Sequence, residues 1–308
     1  MQSEGSGRGG ARRLLAAMTT GLVLALIGAC SAAAPPPKSA PSPALWRLTD
    51  SDSEIWLFGT VHVLPPELKW RSAAVDRAFA AAELVVFETP TDAAAQAQVA
   101  RTVAEVGRNP AGVTLSSQLP AEDSARLARV ARGLGLDAAA LEGLRPWLAG
   151  LTLSLRYVTQ QGHDPDAGVE RILDEDAAKR GVPRRYFETP EGQIRILSDL
   201  PPQDELRFLT ATLVQIESKS ENVDAMDDAW VRGDVATLGR LLTEDIAEAG
   251  PETYAALLTR RNARWTEEID AMMRGKGKIF IAVGSAHLIG PDGVPALLRA
   301  KGYRVEGP

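Results

Sequence analysis

The sequence predicts an α/β fold, with a central, largely parallel sheet opened by a β-hairpin and covered by a long, mostly helical insertion or cap. Three observations carry this expectation. Short apolar runs suited to buried strands alternate with longer stretches of helical periodicity, the order of a layered α/β protein. Two of these runs end in near-copies, Phe58-Gly59-Thr60-Val61-His62 and Val283-Gly284-Ser285-Ala286-His287, each turning on a glycine that precedes a histidine. Two more lead into Phe87-Glu88-Thr89-Pro90 and Phe187-Glu188-Thr189-Pro190. Ligand crevices of parallel sheets lie beyond the carboxyl ends of the strands, so the fold itself gathers His62, Glu88, Glu188 and His287 at one edge.

The chain of 308 residues, 45% of them apolar, is long enough for one large domain or two. Its formal charge is -6, and it becomes more negative without Arg8, Arg12 and Arg13. No long basic run remains, which argues against a nucleic-acid partner. Residues 1–29 have an arginine-bearing start, an apolar run from Leu14 to Ile27, and Gly28-Ala29 ahead of Cys30, the one cysteine of the chain. That is the shape of a secretory signal, and the run falls short of the about 20 apolar residues that span a bilayer. Small residues before the cysteine resemble a bacterial lipobox, so Cys30 is expected to be the lipidated first residue of a lipoprotein. A plain signal peptide cut nearby is the alternative, and Arg12-Arg13 hints at twin-arginine export. Residues 30–44, rich in Pro and Ala, are expected to form an extended linker. With Ser31 after the cysteine, the expectation is a lipid-anchored protein on the outer membrane facing the periplasm, or otherwise a secreted or periplasmic one. The domain itself is expected over 45–308.

Within that domain each element has its own signal. Leu45 to Thr49 and Ile55 to Phe58 flank the polar Asp50-Ser51-Asp52-Ser53, which predicts an opening hairpin. From Arg71 to Ala82 apolar side chains recur at Ala74, Val75, Ala78, Phe79 and Ala82, a helical spacing that leads into a strand over Leu84 to Phe87. Between Thr91 and about Gly162, helical patterns are punctuated by Pro110, Pro120, Gly133-Leu134-Gly135 and Pro146. Asp166 to Arg180 is amphipathic, with Val169, Ile172, Leu173 and Ala177 on one side, and it feeds the second Phe-Glu-Thr-Pro strand. Helices fill Glu191 to Met273, with breaks near Pro201-Pro202, Gly233 and Gly250-Pro251. Lys278 to Val283 is a continuous apolar run, as found where both faces of a sheet are covered. A helix over Gly293 to Ala300 and a short strand at Tyr303-Arg304-Val305 complete the pattern.

The strand-end residues suggest a chemistry. A glycine at a strand exit lets the chain turn sharply into the crevice, and the histidine then lands in the first turn. Two neutral imidazoles with a carboxylate make an open site for Zn, Mn, Fe or Co, and an ion there acidifies water enough to make it a nucleophile for hydrolysis. A further glutamate can orient a ligand or act as general base. One Gly-x-x-His by itself is as well explained by a structural histidine; two in equivalent strand contexts favour a functional pair. Glu88 can instead pair with an arginine, and Glu188 also stands where a helix starts. Arg260-Arg261-Asn262 lies on a helix ahead of Trp265, either as a solvated charged face or as a group for a substrate carboxylate or an oxyanion. His163, in Gly162-His163-Asp164-Pro165, reads as a solvated turn, and Trp46, Trp56 and Trp265 read as core.

As an ordered set, Leu45-Trp46-Arg47, Phe58-Gly59-Thr60-Val61-His62, Phe87-Glu88, Gly168-Val169-Glu170, Glu188-Thr189 with Gln193, Arg261-Asn262 and Val283-Gly284-Ser285-Ala286-His287-Leu288 resemble the TraB and GumN family. That family includes the animal Tiki proteins and bacterial pheromone-shutdown proteins, and the resemblance runs from about Leu45 to Val305. It implies a metal-dependent hydrolase, a protease in the Tiki proposal, with His62, His287 and Glu88 at the metal. Glu170, Glu188, Arg261 and Asn262 are further family-type positions. The expected cofactor is a divalent ion, Mn, Co or Zn, and the expected partner is a peptide or other small envelope substrate. The rival expectation is a non-catalytic envelope protein that binds a peptide, a saccharide or a tetrapyrrole in the same crevice.

Overall fold

The computed structural model describes residues 40–218 and 222–308. The signal over 1–29, Cys30 and the linker as far as residue 39 lie outside the described residues. Six strands form one sheet: β1 (Leu45–Thr49), β2 (Ser53–Thr60), β3 (Leu84–Phe87), β4 (Arg184–Tyr186), β5 (Gly277–Gly284) and β6 (Val305–Glu306). Their order is β4-β3-β5-β2-β1-β6. β4, β3, β5 and β2 run parallel, whereas β1 is antiparallel to both β2 and β6. The sheet is therefore largely parallel and opened by a hairpin, as the alternation of elements predicts. At the hairpin turn Asp50 Oδ1 accepts the backbone N–H of Ser53 at 2.7 Å and of Asp52 at 3.1 Å, which substitutes a side chain for ladder partners the turn lacks.

Alternation along the strands splits the core between the two faces of the sheet. Ile55, Leu57, Val86, Ile281 and Val283 pack with Trp265 and Ile269 of the helix Arg260–Met273. Trp56, Phe58, Val85, Phe87 and Phe280 pack on the other face with Trp70, Phe79, Trp147, Phe208 and Trp230. A third core joins the helical insertion to the helix Pro202–Ser218, built on Leu115, Leu127, Val130, Leu153, Leu209 and Leu213. Among the described residues no helix is long and apolar enough to cross a membrane.

Three details depart from the sequence reading. β6 begins at Val305 rather than Tyr303, because Gly302 takes φ 94° and Tyr303 N–H donates to Leu298 O, which makes those residues the end of the helix Val294–Ala300. β4 is only Arg184–Tyr186, yet its pairing continues as Phe187 N–H donates to Phe87 O and Glu188 N–H to Glu88 O. The two Phe-Glu-Thr-Pro echoes thus lie side by side. His163 is not a solvated turn: it is buried, with Nε2 2.8 Å from Asp227 Oδ2.

Candidate metal centre

The carboxyl ends of four neighbouring parallel strands build the site. Glu188 follows β4, Glu88 follows β3, His287 sits in the short turn Ser285–Leu288 after β5, and His62 follows β2. A fifth group arrives from outside the sheet. Gly168 lies so close to His62 that a Cβ on it would fall 2.4 Å from the His62 carbonyl oxygen, and Val169 N–H donates to Val61 O at 3.0 Å. That close docking places the first turn of the helix Val169–Lys179 against the end of β2, and it brings in the buried Glu170.

His62, Glu88 and Glu170 each offer a ligand atom within 4.8 Å of one another, an arrangement that can hold a metal ion. His62 Nδ1 is 2.9 Å from Glu170 Oε1, and Thr60 Oγ1 donates to that same oxygen. Neither ring nitrogen of His62 has an aligned hydrogen-bond partner although both are shielded from solvent, and Glu170 Oε2 is likewise unpartnered. Buried polar atoms left without partners are uncommon, and a bound ion or water is one explanation of them. Glu88 Oε1 accepts the N–H of Gly284 at 2.7 Å and retains a lone pair, while Oε2 accepts from Arg261 Nη2 at 2.7 Å and Gln193 Nε2 at 3.2 Å. Gly284 keeps the space open, since a Cβ there would lie 3.2 Å from Glu88 Oε1 and 3.4 Å from His62 Nε2. One imidazole and two carboxylates suit a first-row divalent cation, so donor set and vacant valences fit the expected ion.

His287 stands apart from that trio. Its Nε2 is 3.8 Å from Glu88 Oε1 but 2.8 Å from Arg261 Nη1. A guanidinium only donates, so Nε2 accepts and the proton resides on Nδ1, which donates to Asn262 Oδ1 at 2.5 Å. Asn262 is fixed in turn by donating from Nδ2 to Asp292 O at 2.8 Å. Burial first, then the charges of Arg261 and His62, hold the His287 pKa well below the usual imidazole value. It is a neutral ring with its lone pair engaged, and Trp265 packs on it at 4.4 Å between ring centroids.

Arg261 joins the two halves. Nε and Nη2 form a fork on Glu188 at 2.8 Å each, Nη2 also reaches Glu88, and Nη1 donates to Leu257 O at 3.0 Å and to His287. Every N–H of the guanidinium has a protein acceptor, so as arranged it positions other groups and has none to spare for a substrate oxyanion. The turn that delivers it is wide, because Ala255–Thr259 forms a π-helical turn immediately before Arg260–Met273, a feature frequent at functional sites. Burial lowers the Arg261 pKa, but Glu88 and Glu188 outweigh it and the net shift is upward. Likewise burial lowers that of His62, and Glu170, helped by Glu88, raises it above the usual value. Arg261 thus lies between Glu88 and Glu188, Arg264 also reaches Glu188 at 2.6 Å, and Glu170 pairs with His62, so each carboxylate of the cluster has a nitrogen partner.

The structure thus brings His62, Glu88, Glu188, Arg261, Asn262 and His287 into one cluster. The group that could hold an ion is His62, Glu88 and Glu170, whereas the expected set was His62, His287 and Glu88; in this arrangement the lone pair of His287 is taken by Arg261. Residue reasoning by itself missed Glu170, Thr60 and Gln193, and the signal for Glu170 and Gln193 came only through the resemblance.

An α/β protein with a largely parallel sheet and a His-Glu-Glu cluster at the carboxyl ends of its strands is the class that fold and site define. The chain belongs to the TraB/PrgY/gumN family, whose profile matches residues 44–307. It is similar to the uncharacterised protein YbaP of Escherichia coli strain K12 and to that of Shigella flexneri, each 23% identical over 190 residues, which covers 62% of this chain and 70% of the relative. No solved structure matches the chain.

Proposed function

We propose that this protein is a metal-dependent hydrolase of the bacterial cell envelope, acting on peptides and anchored through a lipid on Cys30. The observation that carries the chemistry is the shielded, unpartnered Nε2 of His62 beside the unpartnered Glu170 Oε2 and the open valence of Glu88 Oε1. His62, Glu88 and Glu170 hold the ion, with Mn, Co or Zn as the candidates. A divalent ion there supplies Lewis-acid polarisation of a carbonyl and acidification of water. Arg261 pins Glu88 and Glu188 so that the ligand carboxylate does not rotate, and Asn262 fixes the His287 tautomer.

The test is metal content by mass spectrometry on the purified chain beside the His62→Ala/Glu170→Gln double variant. Stoichiometric metal in the parent and loss in the variant is the expected result. Absence of metal from both after reconstitution with Mn, Co and Zn sinks the reading. A non-catalytic envelope binding protein is the second reading, favoured by the engagement of His287 and Glu88 with Arg261. Stoichiometric metal with no cleavage across a peptide library supports it.

A further inference from the structure

We propose that the cavity beside His62 is a specificity pocket for one branched aliphatic side chain, of valine or leucine size, on a peptide substrate. The word substrate rests on the hydrolase reading; the side-chain preference rests on the cavity alone. Thr60, His62 and Gly284 form one wall of this cavity, so it abuts the ligand cluster directly. Glu88, Glu170, Arg261, Asn262 and His287 are buried, while the His62 side chain retains 11% exposure. A molecule approaching the cluster from this side must cross the pocket.

The other walls are apolar: Leu151, Leu155 and Val158 of the helix Pro146–Gln160, Met226 of the helix Asn222–Arg232, and Leu238 and Leu242 beyond it. Hydroxyls in the lining are mostly committed, since Thr60 donates to Glu170 and Ser285 donates to Thr60 O at 2.9 Å. That leaves the half-buried hydroxyl of Ser154 as the one the lining offers a polar group. Away from His62 at the cluster wall, a charged or amide side chain would lose its water with only Ser154 to replace it. Size decides among the apolar candidates. The cavity holds about 80 Å³, about half the roughly 150 Å³ of a dry cavity that accepts benzene. That space matches an isopropyl or isobutyl group more closely than an aromatic ring or a long acyl chain. Met226 adds an adaptable wall that can close around either.

The purified chain is titrated with the N-acetyl amides of alanine, valine, leucine, phenylalanine and aspartate while the Met226 methyl resonance, assigned through Met226→Leu, is followed. This measurement needs neither metal nor turnover. Valine and leucine amides are expected to bind about tenfold or more tightly than the other three, the discrimination a methylene or two gives in an apolar pocket. Leu155→Trp and Ser154→Leu, both at partly exposed positions, each fill the pocket and are expected to weaken leucine-amide binding at least as much with thermal midpoint unchanged. Binding of the phenylalanine or aspartate amide as tight as leucine overturns the proposal, as does unchanged affinity in both variants. A peptide mixture digested by the metal-loaded chain separates the two claims. Cleavage beside valine or leucine supports both, and cleavage without that preference overturns the pocket while leaving the hydrolase. Selective amide binding with no cleavage keeps the pocket and overturns the hydrolase.

Discussion

Arg261 is the residue on which the buried charges turn. It faces Glu88 and Glu188 at once; Glu188 keeps Arg264 at 2.6 Å, but a neutral replacement strands Glu88 away from water. Arg261→Met is expected to destabilise the protein by about 3–5 kcal/mol in urea unfolding, the usual cost of removing one partner of a buried ion pair. Glu188 acts on the ligand trio only through Arg261, and Glu188→Gln is expected to weaken metal affinity about 10–100-fold, as loss of an outer partner does. Glu88→Gln removes a ligand and is expected to cost more than that in the same competitive titration. His62, Glu88 and His287 are legible in the sequence because each ends an apolar run and strand ends converge, and Glu188 because its Phe-Glu-Thr-Pro repeats that of Glu88. Glu170 is not, since helical periodicity points Val169, Leu173 and Ala177 inward and says nothing of a carboxylate in the first turn. His163 is misread for a related reason: its burial depends on Asp227, 64 residues away, and no local pattern carries that contact.

At the scale of elements, close backbone approach and helix caps set the geometry. Gly168→Ala drives a methyl into the His62 carbonyl, so it is expected to cost about 1–3 kcal/mol by overpacking and to lower metal content as Glu170 moves away. Asp234 caps the helix Val235–Gly239 by accepting from Thr237 N–H at 3.0 Å, and this helix carries Leu238 of the apolar cavity. The backbone hydrogen bond from Thr237, followed by its side chain, holds the Asp234 pKa below the usual carboxylate range. A lowered folded-state pKa contributes stability that is present above the unfolded value, near 3.9, and is lost as pH falls through the folded one. Asp234→Ala is therefore expected to cost about 1 kcal/mol at neutral pH, with parent and variant converging below pH ~4; chemical denaturation across that range checks it. The hairpin, the helical insertion and the parallel strands are readable from periodicity and turn residues. The brevity of β4 is not, because its outward Arg184 and Arg185 pair as a strand only beside β3.

Across the whole molecule, the two histidine motifs and the two glutamate motifs prove to be two pairs of adjacent or near-adjacent strand ends in the order β4-β3-β5-β2. His62 and Glu88 lie early in the chain, yet β5, from Gly277 to Gly284, is inserted between their strands and donates the N–H that fixes Glu88. No amino-terminal portion of the chain can bring the ligands together before that late strand arrives. Such non-local pairing is slow to form, because loop closure must precede the contacts that reward it. On the metal reading, ion capture would be a clock for the completed fold: in refolding, uptake should lag collapse and coincide with the last, sheet-closing phase.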